Sequence, residues 1–139
     1  MSSVRRGAIL LLFAVAGGGM AAQAHHSISA IYDSGRQVTI DGTVAEFHLV
    51  HPHPFLIVDV KEGDKVGEKA RQWKGELDNL RELVEIGVTG RTFQPGDRVV
   101  IRGSAARAQT PGLYVLRLDR PADGFWYEQV GQSPRIRKP

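Results

Sequence analysis

The chain contains no cysteine, so an oxidising compartment would give its fold no disulfide. Methionine is almost as scarce, and Met1 and Met20 both lie in the N-terminal segment. No apolar run is long enough to span a bilayer, because the longest, Ala8 to Ala16, covers less than half of the roughly 20 residues required. There is no phosphate-binding glycine loop, no serine-triad context and no nucleophilic thiol, so hydrolytic chemistry has no support. A strong charge imbalance is missing too. The formal charge of +3 includes Arg5 and Arg6 of the leading segment, and without them it falls to about +1. A nucleic-acid partner is therefore not expected. Arg135, Arg137 and Lys138 gather near the C-terminus and read as a solvated end.

Residues 1–24 have the pattern of a secretory signal peptide. A positive start at Arg5-Arg6 precedes the apolar run, and small residues lead to Ala22-Gln23-Ala24, an A-x-A cleavage site. The residues after the arginine pair match a twin-arginine signal poorly, so general secretion is the expectation, to the periplasm or beyond. Once cut, the chain has no stable membrane insertion. Cleavage after Ala24 leaves 115 of the 139 residues, one small domain, and makes His25 the amino terminus.

The rest reads as an N-terminal arm (25–37), a β domain (38–120) and a C-terminal tail (121–139). Val38, Ile40, Val44 and Val50 share one parity, the mark of a long strand, with a bend or bulge at Gly42. The His51-Pro52-His53-Pro54 segment interrupts it, since neither proline can donate to a ladder. Strands follow at Phe55 to Val60 and around Gln72 to Leu77. Asn79 and Glu82 then form a capping-box pattern opening a short helix that ends near Gly87. Pro95-Gly96-Asp97 and Pro111-Gly112 are turn signals before two more strands. Three strands, a short helix and two strands match the order of a small OB-like five-stranded barrel, mainly β, with one short helix between strands 3 and 4. A split β-sandwich is the rival.

All five histidines fall between positions 25 and 53. A processed His25 offers its amine and ring nitrogen as a chelate, and one further imidazole would complete a histidine brace. His53 and His51, two apart in extended backbone and stiffened by the prolines, are the candidate partners. His26 would point the opposite way from His25 in an extended arm. His48 has the opposite parity to His51 and His53 and is expected to pack or hydrogen-bond quietly. With no sulfur in the mature chain, the donors are nitrogen and oxygen, which suits Cu(II) first and Zn(II) second. Tyr32 or Asp33 could add an axial or outer oxygen. Solvated histidines and simple turn chemistry form the competing explanation.

Glu76 and Asp78 could form an acid pair, although exposed carboxylates are the default expectation there. Trp73 and Phe125-Trp126-Tyr127 read as plugs for the barrel ends rather than stacking platforms.

These residues together resemble a family of small exported bacterial proteins of unknown function. Its pattern is matched by His25-His26-Ser27, Tyr32-Asp33, Gly42-Thr43-Val44, His51-Pro52-His53, Trp73, Glu76-Leu77 and Gly96-Asp97-Arg98-Val99. The family usually carries asparagine at position 51, so the resemblance favours His53 over His51 as a shared ligand. It implies the fold and export, and no activity.

The expected function is a periplasmic Cu(II)-binding module that holds or passes on the metal, with His25 and His53 as ligands and His26 and His51 in reserve. Its partner would be a periplasmic copper-handling or envelope protein. A metal-free module recognising a glycan, peptide or partner protein is the alternative, and a copper oxidase or monooxygenase a distant third. Catalysis is not the expectation.

Overall fold

A computed structural model describes residues 28–61, 70–131 and 133–139. Alternating burial builds most of it. A helical turn, α1 (28–31), leads into β1 (Tyr32–His48), whose Ile40 and Val44 point into the core while Thr39 and Asp41 face water. There follow β2 (Phe55–Val60), β3 (Arg71–Glu76), α2 (Leu80–Glu85), β4 (Arg98–Ala106), β5 (Gly112–Arg120), β6 (Phe125–Val130) and β7 (Ser133–Arg137).

The strands lie in the order β3-β2-β1-β4-β5-β6-β7, with every neighbouring pair antiparallel. β3 also pairs in parallel with β5, from Lys74↔Gly112 to Glu76↔Tyr114. The contacts β1–β2–β3–β5–β4–β1 therefore close on themselves. Inside the ring lie Leu56, Val58, Val99, Ile101, Leu113 and Val115, all fully buried.

The fold is mainly β, as expected, but it has seven strands among the described residues. The segment expected to be a tail supplies two of them. Gly124 takes a left-handed φ of 73° at the turn, and its N–H donates to the Arg120 carbonyl. Beyond it Phe125 and Tyr127 point into the core at 2% and 1% exposure, while Trp126 stays half-buried under the Arg117 guanidinium. An apolar face that the core can use turns an aromatic cluster into a strand. The boundaries of the expected arm shift as well: β1 begins at Tyr32 and ends at His48, two residues before Val50.

Gly42 serves a close approach. A Cβ there would lie 2.6 Å from the Asp59 carbonyl oxygen on β2, and the register shift itself falls between Val44 and Glu46. The 94–97 turn forms as expected, with Gly96 at φ 96° and the Asp97 N–H donating to Gln94.

The capping box on α2 is half made. Asn79 accepts from the Glu82 N–H at 3.0 Å, but the Asn79 N–H donates to its neighbour Asp78 at 2.6 Å, leaving Glu82 Oε2 buried without a partner among the described residues. Asn79→Ala should lower stability by about 1 kcal/mol in urea denaturation. An unchanged midpoint would show that the cap does not hold the helix.

Candidate functional site

Two backbone hydrogen bonds fix the proline-flanked bend after β1. The Leu77 N–H donates to the Pro54 carbonyl (2.8 Å) and the Leu80 N–H to the Pro52 carbonyl (3.2 Å). The bend is thereby fastened to the connection between β3 and α2, and His53 comes to lie on the same cavity wall as Asp78 and Asn79. The cavity holds about 280 Å³, and Ile28, Ser29, Tyr32, Ser34, Ser104, Tyr114, Leu116, Gln129 and Gly131 complete its wall.

His53 is half-buried, and its Nδ1 is shut off from solvent with no hydrogen-bond partner among the described residues. A buried polar atom left unpaired costs about 1–3 kcal/mol, so native proteins rarely leave one without a reason. His51 is exposed and absent from the cavity wall. Residues 51 and 52 form a bend, and the two-residue alternation that would align His51 with His53 lapses there. His48 stacks on Phe55 at 4.5 Å between ring centroids and pairs with Glu46 at 2.6 Å. His25 and His26 lie outside the described residues. Among the described residues no three histidine or carboxylate side chains are grouped to hold a metal.

Glu76 and Asp78 depart from the exposed default, at 8% and 7% exposure. Glu76 accepts from the Tyr32 hydroxyl at 2.7 Å and lies 3.5 Å from Lys74 Nζ. Asp78 accepts from the Asn79 backbone and from Gln129 Nε2, and Gln129 Oε1 in turn accepts from the Tyr127 hydroxyl at 2.7 Å. These partners are what make buried carboxylates tolerable. Asp33 turns elsewhere: it accepts from the Gly35 N–H and faces Arg107 at 3.7 Å.

The tyrosines report the field in and behind the cavity. Burial, then the hydrogen bond and charge of Glu76, push the Tyr32 hydroxyl well above its ordinary range. Burial first, and then Asp78, Glu76 and Glu82, do the same to Tyr114. Tyr127 is raised by burial, then by Tyr114 and Asp78. All three stay protonated, and the carboxylates that help to hold them so make the region favourable to a cation.

Sequence reasoning did not find Ser104, Tyr114 or Gln129. Gln129 sat in the presumed tail, and its signal was the Phe125-Trp126-Tyr127-Glu128-Gln129 alternation.

The model of a family of unknown function (DUF6152) matches residues 13–114, most of the chain. The chain belongs to this family. The DUF6152 match takes in β1 to β4 and ends within β5, so Gln129 and the β6–β7 hairpin lie beyond it. No curated protein and no solved structure matches the chain significantly.

Proposed function

We propose that this DUF6152 protein is an exported, periplasmic metal-binding module that takes Cu(II) between the amine and ring of a processed His25 and the imidazole of His53. The observation that carries the proposal is the uncommitted Nδ1 of His53 on a cavity wall that also includes Ile28 and Ser29. Residue 25 is three positions before Ile28, and three residues reach at most about 10 Å. The carboxylates of Asp78 and Glu76 favour a cation there. Nitrogen and oxygen donors place Cu(II) first in affinity and Zn(II) second. His26 and His51 are reserve ligands, and the expected role is to hold the metal or hand it to a copper-handling envelope partner. The closed ring of strand pairings, with α2 between β3 and β4, supports the narrower reading of an OB-like five-stranded barrel carrying the β6–β7 hairpin as an addition.

The test is to express the chain with its leader, so that His25 becomes the terminus, and to titrate Cu(II) while recording EPR spectra. A single Met retained before His25 should weaken binding by about a hundredfold or more, since removing a ligand costs more than the 10–100-fold typical of losing an outer partner. His53→Ala should weaken it similarly and alter the nitrogen hyperfine pattern. Equal affinity with and without the extra residue would remove the amine from the site. An unchanged spectrum in His53→Ala would remove the imidazole.

A further inference from the structure

A second cavity, of about 260 Å³, opens where β1, β3 and the β4–β5 loop meet, and it has the opposite chemistry. Its wall includes Arg36, Arg71, Trp73, Gln109 and Thr110, and no acidic residue among the described ones. Three details show how the fold assembles it. Between the partners Asp33↔Ala105 and Gln37↔Ser104, β1 carries three extra residues, 34–36, and this bulge brings Arg36 to the wall, where its guanidinium donates to the Ala106 carbonyl. The Lys74 N–H donates to the Pro111 carbonyl at 3.0 Å, joining β3 to the start of β5 beside Trp73. Gln109 takes a φ of 55°, the only positive value at a non-glycine among the described residues, and residues held in that region often cluster at binding sites.

The Trp73 indole N–H is buried without an acceptor among the described residues. An indole nitrogen can only donate, so what it lacks is an acceptor atom. Two guanidinium groups in the same wall favour an anionic one, and the planar fork of arginine matches a carboxylate. Val38, Pro111 and the Trp73 ring give the cavity an apolar side, and its volume lies just below the usual small-molecule range.

The geometry points to a binding site for a small organic carboxylate, an apolar body against Val38 and Trp73 with its anionic oxygens on Arg36, Arg71 and the Trp73 N–H. This site is separate from the metal proposal and is tested on chelator-treated protein. The chain has two tryptophans, Trp73 and Trp126, so the indole N–H resonances in ¹H–¹⁵N spectra can be assigned with Trp126→Phe. Benzoate should shift the Trp73 indole proton downfield and saturably, leaving that of Trp126 in place. Arg36→Ala and Arg71→Ala should each weaken the response by about tenfold or more, as expected for losing a hydrogen bond to a charged group. No saturable shift, or a shift that neither arginine variant alters, overturns the site. An equal response to inorganic phosphate overturns the assignment to an organic carboxylate.

Discussion

Gly103→Ala is expected to destabilise the protein by about 4 kcal/mol or more, at the extreme of what single substitutions do. A Cβ at this position would overlap the Tyr114 carbonyl oxygen and lie 2.9 Å from its carbonyl carbon and 2.8 Å from Leu113 Cδ1. The first two are backbone atoms of the partner strand, so no rotamer change relieves the contact. The register shift between Arg102 and Gly103 is where β4 and β5 come this close. Separating them would open the seam between Ile101 and Leu118, both fully buried. With only about 5–15 kcal/mol holding a typical domain together, much of the protein's stability would go. Ser104 and Tyr114, which flank the seam, line the cavity with His53, so the proposed metal site would loosen as well. Urea denaturation followed by circular dichroism measures the loss. Gly90→Ala is the control, since a Cβ there meets nothing within 4 Å and should leave the midpoint nearly unchanged. If Gly103→Ala unfolds at the wild-type urea concentration, the close approach of the two strands is wrong.

The second large effect is alkaline unfolding driven by tyrosine. Tyr32, Tyr114 and Tyr127 are all the tyrosines of the chain, and burial is the first cause of the upward shift in each. The unfolded chain releases its phenolic protons near pH 10, whereas the folded protein keeps them. Their contribution to stability is therefore intact below about pH 10 and is lost as pH rises above it. Each group adds a slope approaching 1.4 kcal/mol per pH unit while one proton separates the two states, about 4 for all three, and less to the extent that the partly buried Tyr114 is solvated. Tyrosinate absorbance should stay flat through the ordinary tyrosine range and then rise together with the loss of the β signal. A tyrosinate step near pH 10 with the fold intact would show that the hydroxyls are not held as described.

Much of the β framework was legible from local pattern. Val38, Ile40 and Val44 alternate, Asn79 sits at the start of a helix, and Pro95-Gly96 makes its turn, because each of these depends on neighbours within a few residues. The β6–β7 hairpin was written in the same period-two code. Its basic, proline-containing surroundings masked the alternation of Phe125 and Tyr127. The burial of Glu76 and Asp78 had no local sign at all. Their partners, Tyr32 and Gln129, lie 44 and 51 positions away, and a carboxylate's tolerance of burial depends on who hydrogen-bonds to it.

By itself the sequence determined which chemistry this protein has to work with: histidines crowded at one end, no sulfur beyond the leading segment, and strands that alternate. Tertiary structure decided which of those groups meet. It set His53 on a cavity wall with Ile28 and Ser29 and left His51 in solvent, and it brought Arg36 and Trp73 together from separate strands. The reason is that periodicity encodes only which face a side chain takes. What stands opposite that face depends on how strands distant in the chain pair, and here on a ring that closes through β3 and β5.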